Sequence, residues 1–412
     1  MSSKAVTLLR ASAVAAATVV AAMVLAACDN NSSSNNNNGG AQVIASSGPN
    51  VVPLTVSPGP TNDNVNVVFT SVTVCVPGST SNCQTIDGIA VDTGSSGLRI
   101  LSSALTLSLP QENDSQGNPI VECNQFLDGF TWGPVQTADV QMSSERARSV
   151  PIQVIGAAAF PTVPTSCSNT GPEEDTLTAL GANGLIGVGE FRQDCGSACA
   201  VTGASNPNFY FSCPSAGCQT VAVTLTQQVQ NPVWMFSTDN NGVIVELPSP
   251  PAAGAATLSG SLVFGIGTQS NNGIGSAKIY TVDANGNFTT IYNNQRYSGS
   301  FLDTGSNGLF FLTSGITGMQ VCRDASSFYC PTTQQNLSAS NVGVNGTTAT
   351  INFSVTSADT IFSQANVSAA SSLAGPNPGV FDWGLPFFYG RNVFTAIESQ
   401  STPSGVGPYW AY

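Results

Sequence analysis

The sequence predicts an all-β protein of two related lobes with a cleft between them. Three observations carry that prediction. A fourteen-residue stretch occurs twice: residues 88–101 read GIAVDTGSSGLRIL and residues 299–312 read GSFLDTGSNGLFFL, identical at eight positions. Two copies so far apart do not make a solenoid; they suggest two halves on one plan. Next, 41 Gly and 24 Pro punctuate many short apolar runs, while helical signals are few and brief. Finally, about 360 residues follow a polar N-terminal stretch, which exceeds one typical core and suits two domains.

Taken in order, residues 1–27 read as a lipoprotein signal peptide. Lys4 and Arg10 precede a small apolar run from Ala11 to Ala27, too short for a spanning helix. Leu25-Ala26-Ala27-Cys28 resembles a bacterial lipobox, so Cys28 is expected to carry lipid and hold the protein to the bacterial cell envelope, on the periplasmic or surface side. Residues 28–50 are rich in Asn, Ser and Gly and read as a disordered tether. The ten remaining cysteines are even in number and exported, which predicts five disulfides. Short separation suggests Cys75 with Cys83 and Cys322 with Cys330, and Cys123 with Cys167 is a further candidate pair. Cys195, Cys199, Cys213 and Cys218 can pair in three ways.

The first lobe is assigned to residues 51–240 and the second to 241–412. Within Val65–Val76, Val72, Val74 and Val76 alternate with Thr73 and Cys75, as a half-buried strand does. Pro77-Gly78 turns the chain, and Ile86–Val91 runs back into the first Asp-Thr-Gly. Further strands are expected at Val221–Leu225, Gly242–Leu247, Ser261–Ile266, Lys278–Val282, Phe301–Asp303 and Ala349–Val355. Short helical turns are expected at Asp175–Leu180 and after Pro386.

Composition removes whole classes of chemistry. The chain has no histidine, which excludes Ser-His-Asp and Cys-His nucleophile systems and His-ligated zinc. Beyond the leader, 8 bases stand against 23 acids, a net charge of −15, so nucleic acid is not an expected partner. No metal or cofactor is expected. Few bases also means few ion pairs to lose in acid, so tolerance of acid is expected. What remains is carboxyl chemistry. If the repeat brings Asp92 and Asp303 together, two close carboxyls split their pKa values and share a proton, giving an acid and a base in one place.

With those residues in view, the chain resembles the pepsin-like aspartic peptidases. Each Asp-Thr-Gly-Ser is followed by an apolar segment ending in glycine: Asn183-Gly184-Leu185-Ile186-Gly187-Val188-Gly189 in the first half, and Trp383-Gly384-Leu385-Pro386-Phe387-Phe388, continuing to Ile397, in the second. Gly260–Gly265 resembles the strand opening the second lobe, and Val233–Phe236 the strand crossing between lobes. The resemblance spans roughly Val65 to Ile397. It implies a bilobal acid-protease fold with catalytic Asp92 and Asp303. Thr93 and Thr304 would each bond the opposite loop. Gly94 and Gly305 would permit tight turns, and Ser95 and Ser306 would bond the outer carboxylate oxygens. The family's flap carries a tyrosine before a glycine; here Trp132-Gly133 is the candidate.

The function this implies is an exported, lipid-anchored aspartic endopeptidase, monomeric and acting on polypeptide. The alternative is a catalytically inactive lipoprotein of the same fold that binds a peptide or glycan in its cleft. Glu173-Glu174-Asp175 reads as a solvated helix start, Arg146 and Arg148 as loop charges, and Asn345-Gly346-Thr347 as polar loop composition.

Overall fold

A computed structural model describes residues 42–412. The signal peptide, Cys28 and most of the tether lie outside the described residues. The strands in chain order are β1 Val51–Val56, β2 Val68–Cys75, β3 Cys83–Asp92, β4 Ser96–Leu101, β5 Ile120–Gln125, β6 Phe130–Met142, β7 Glu145–Ile155, β8 Gly184–Val188, β9 Tyr210–Ser212, β10 Gln219–Thr220, β11 Gly242–Leu247, β12 Leu258–Phe264, β13 Ile279–Thr281, β14 Phe288–Tyr292, β15 Gln295–Leu302, β16 Leu309–Leu312, β17 Gln335–Val342, β18 Thr348–Val355, β19 Ala374–Gly375, β20 Asn377–Trp383 and β21 Arg391–Ala396. Among the described residues helix is confined to single turns, including Leu177–Leu180 and Leu385–Phe388.

Alternation explains β2. Val72 and Val74 point inward with no exposure, while Ser71 faces water, so one face of β2 joins the core. Pro77-Gly78 begins the return, and Cys75 and Cys83 face each other in register and are disulfide-bonded. A long sheet runs β10-β9-β5-β6-β7-β4-β8-β3-β2-β1-β12-β11-β21 and on through Tyr409–Ala411 to β13; a second runs β18-β17-β14-β15-β20-β16-β19. The long sheet draws on both halves because β1 pairs β2 on one side and β12 on the other. One apolar core, including Val91, Ile186, Leu302 and Trp383, runs beneath both repeats.

The repeat in sequence becomes a repeat in topology. β3 runs parallel to β8, with Val91 opposite Ile186, and β4 returns antiparallel along the other side of β8, with Leu98 opposite Ile186. In the second half β15 runs parallel to β20, with Leu302 opposite Trp383, and β16 returns with Leu309 opposite Trp383. Each Asp-Thr-Gly-Ser therefore forms a loop whose two strands straddle its partner segment. The chain passes so close that glycine is required there. A Cβ on Gly187 would lie 2.5 Å from Ser96 N, and one on Gly384 would lie 2.0 Å from Gly308 O.

Three expectations are corrected. Val221–Leu225 is not a strand; pairing with β9 ends at Thr220, and Thr224 instead turns back to Gln227 through a 2.9 Å hydroxyl bond. Val233–Phe236 is not a strand either: Pro232–Met235 is a 3-10 turn, capped by the Asn231 side chain accepting from Val233 N at 3.0 Å. The end of the expected tether is held on the fold. Gln42 Nε2 donates to Leu247 O at 2.7 Å, Ala45 N to Glu246 Oε2 at 2.7 Å, and the buried Asn50 Nδ2 to Phe264 O at 2.8 Å. Polar composition there serves an edge with matching donors and acceptors rather than water alone.

Among the described residues five disulfides form. Cys75–Cys83 and Cys322–Cys330 pair as their spacing suggested, Cys123 pairs with its candidate partner Cys167, and Cys195–Cys199 and Cys213–Cys218 close the open choice as two local loops.

Candidate active site

The two repeat loops meet head to head. Thr93 N donates to Thr304 Oγ1 at 3.0 Å, and Thr304 N donates to Thr93 Oγ1 at 3.0 Å. Thr304 Oγ1 then donates across to Val91 O at 2.7 Å. This reciprocal grip sets the turns so that each carboxyl receives the amide two residues on: Gly94 N to Asp92 Oδ1 at 2.7 Å, and Gly305 N to Asp303 Oδ1 at 2.7 Å. Ser95 Oγ donates to Asp92 Oδ2, and Ser306 Oγ to Asp303 Oδ2 at 3.1 Å. All eight residues of the two motifs thus come together, as the repeat suggested.

Asp92 and Asp303 are side-chain hydrogen-bonded to each other, and neither is exposed to any extent. Burial first, then the charge of Asp303 and the shared hydrogen bond, push Asp92 well above the usual carboxylate range; the Ser95 and Gly94 bonds pull the other way. Two carboxyls placed side by side can share one proton, and a pair that does so can take a proton from a water and give one to a carbonyl oxygen.

The candidate flap residues are elsewhere. Trp132 is fully buried, its ring edge-on to Phe211 at 5.3 Å and its indole N–H donating to Phe160 O at 3.0 Å. Gly133 is pressed on β7, where a Cβ would lie 2.0 Å from Val154 O. Both sit on the body of the β5–β6 hairpin, not at its end. The hairpin turns at 126–129, closed by Phe126 N donating to Gly129 O at 2.8 Å. At that turn Leu127 is exposed and Asp128 half-buried, with Asp128 Oδ1 lacking a protein partner. Burial, opposed by its own backbone N–H and aided by the charge of Asp303, raises Asp128 to about 7. The turn of a first-half hairpin therefore lies within electrostatic reach of the second-half aspartate.

Two further groups escaped sequence reasoning. Arg99, seven residues after Asp92, is wholly buried. Its Nη2 lies 2.6 Å from Glu122 Oε1 on β5 and 3.2 Å from Asp194 Oδ2. Tyr210 OH donates to Asp194 Oδ1 at 2.6 Å. This cluster ties the strand leaving the first loop to the hairpin. Burial and then the Glu122 charge hold Asp194 well above its ordinary range, against the pull of Arg99. Asp382, on β20, is buried and lies 2.5 Å from Ser306 Oγ. The other candidates stay peripheral: Arg146 Nη2 pairs with Asp139 Oδ2 at 2.8 Å, and Asn345 lies in an exposed turn.

Fold and site together define a mostly β protein in which one Asp-Thr-Gly-Ser loop from each half meets the other at a buried carboxyl pair. The chain belongs to the family described as "Protein of unknown function (DUF3443)", which matches residues 46–412. No curated protein matches its sequence. Among solved structures it is similar to the aspartic proteinase from Irpex lacteus, at 15% identity over 88% of this chain and 96% of that one, with a TM-score of 0.49. So loose a likeness carries no weight beside the chain's own paired loops.

Proposed function

We propose that this protein is an aspartic endopeptidase, exported and lipid-anchored through Cys28, that hydrolyses peptide bonds in polypeptide substrates. The observation that carries this is the buried pair Asp92–Asp303, set side by side by the reciprocal Thr93–Thr304 bonds. A water held between the carboxyls loses its proton to the ionised one and attacks the peptide carbonyl. The other carboxyl gives its proton to the carbonyl oxygen, and the resulting diol collapses as the amine leaves with a proton. Gly94 N, Gly305 N, Ser95 and Ser306 hold the carboxyl planes so that neither rotates away during the exchange. No cofactor or metal enters this scheme. The anchor and envelope location rest on the sequence before residue 42, as does export.

One observation favours the second reading, a quiet binding lipoprotein: both carboxyls are wholly covered. Catalysis then requires the hairpin turn at 126–129, or the lobes, to open. Binding of a peptide whose scissile bond is replaced by a hydroxyl-bearing isostere, followed by calorimetry, tests the proposal. Tight binding to wild type that falls at least about tenfold, or 1.4 kcal/mol, in Asp303→Asn is expected. Equal binding by both, or by neither, contradicts it.

A further inference from the structure

The two halves of the site are not equivalent, and the difference is Asp382. In the first half, the residue of β8 that pairs with β4 one step before Ile186 is Leu185; in the second, the matching residue of β20 is Asp382. Ser95 meets Asp92, whereas Ser306 stands between two carboxyls, 3.1 Å from Asp303 Oδ2 and 2.5 Å from Asp382 Oδ2. All three groups are buried. A serine hydroxyl has one hydrogen and cannot donate to both. For both contacts to be hydrogen bonds, one of the carboxyls must supply a second proton.

We propose that Asp382 is a positioning residue of the carboxyl pair, sharing a proton with Asp303 through Ser306 and so biasing which carboxyl of the pair is protonated. The inference rests on the endopeptidase reading for its catalytic consequence, though not for the proton sharing itself. The exchange is balanced within the three side chains. A proton on Asp382 Oδ2 passes to Ser306 Oγ while the hydroxyl's own hydrogen passes to Asp303 Oδ2, and only O–H bonds change. Asp382 faces Asp303 through Ser306, and Asp92 lies beyond it. Its register partners on the flanking strands, Phe301 and Phe310, bring no charge.

The test compares wild type with Asp382→Asn, which keeps the shape, and Asp382→Leu, which installs the first half's residue. Aspartate carboxyl carbons are followed by 13C NMR through the pH range, alongside kcat/KM for an unfolded polypeptide. A like charge nearby raises a carboxyl's pKa, so removing Asp382 is expected to shift the Asp303 midpoint down by roughly one unit. The loss of activity toward neutrality should move with it. If Asp303 titrates unchanged in Asp382→Asn, the proposal is overturned, whatever the activity. A shifted midpoint in a protein that cleaves nothing at any pH supports the proton sharing and removes the endopeptidase reading instead. If Asp382→Leu does not fold, Asp382→Asn decides alone.

Discussion

Gly94 marks how tightly the two carboxyls are fitted. A Cβ there would lie 2.6 Å from Asp303 Cγ and 2.7 Å from its Oδ1. Gly94→Ala must therefore push the pair apart, and displacement of about 1 Å at a reacting centre costs on the order of a hundredfold. Steady-state kcat/KM beside thermal unfolding should show that loss in a folded protein; retention of most activity would mean the loops have slack. Asp92, Asp303 and their Thr, Gly and Ser neighbours were legible because the sequence states them twice. Arg99 and Asp382 were not, because they are where the halves differ: Arg99 stands opposite Phe310 in the repeat, and Asp382 opposite Leu185. Arg99→Met would leave Glu122 and Asp194 buried without their cation. Removing one partner of a buried ion pair costs about 3–5 kcal/mol, and urea unfolding should register a loss of that size. A change under about 1 kcal/mol would mean that the buried ion pair contributes little to stability.

The β5–β6 hairpin is where local signals were read too simply. An aromatic before a glycine drew attention to Trp132-Gly133, whereas the hairpin turns at 126–129, where Phe126 N bonds Gly129 O. Trp132 is buried because its face of the hairpin packs on Phe211 and the Cys123–Cys167 bond. That disulfide closes a loop of 44 residues behind the hairpin. The chain-entropy relation gives about 4 kcal/mol for such a loop. Replacing both cysteines by serine should lower stability by that order in urea unfolding; an unchanged midpoint would show that packing alone holds the hairpin. The partner segments were legible because apolar residues ending in glycine occur twice. Val233–Phe236 was not, since a short apolar run does not distinguish a strand from a helical turn.

At the scale of the whole molecule, the repeat announced two related halves, but not how they join. That β1 pairs with β12, two hundred residues on, is set by tertiary fit that local pattern does not encode. The finished molecule carries several acids raised by burial, among them Asp92, Asp128, Asp194, Glu145 and Glu246. Such groups bind more protons folded than unfolded, so stability falls as pH rises from about 4, the unfolded value, and for Asp128 the fall is complete above about 7. Asp114, lowered to about 2 chiefly by the Ser212 bond, works in the opposite sense: its contribution is present above about 4 and is lost as pH falls toward 2. Thermal midpoints from pH 3 to 8 should therefore peak in mild acid and decline toward neutrality. A midpoint that rises steadily from pH 4 to 8 would contradict this balance.

The central claim is that Asp92 and Asp303 act as one proton-sharing unit on a peptide bond. Cleavage of an unfolded polypeptide, followed from pH 3 to 7 with wild type, Asp92→Asn and Asp303→Asn, tests it most directly. Wild type should cleave in acid and lose activity toward neutrality as the shared proton departs. Each Asn variant should be inactive yet folded, and the double variant no worse than either single one, because the pair fails as a unit. Equal background cleavage by all of them across that range would contradict the account and leave a binding protein in its place.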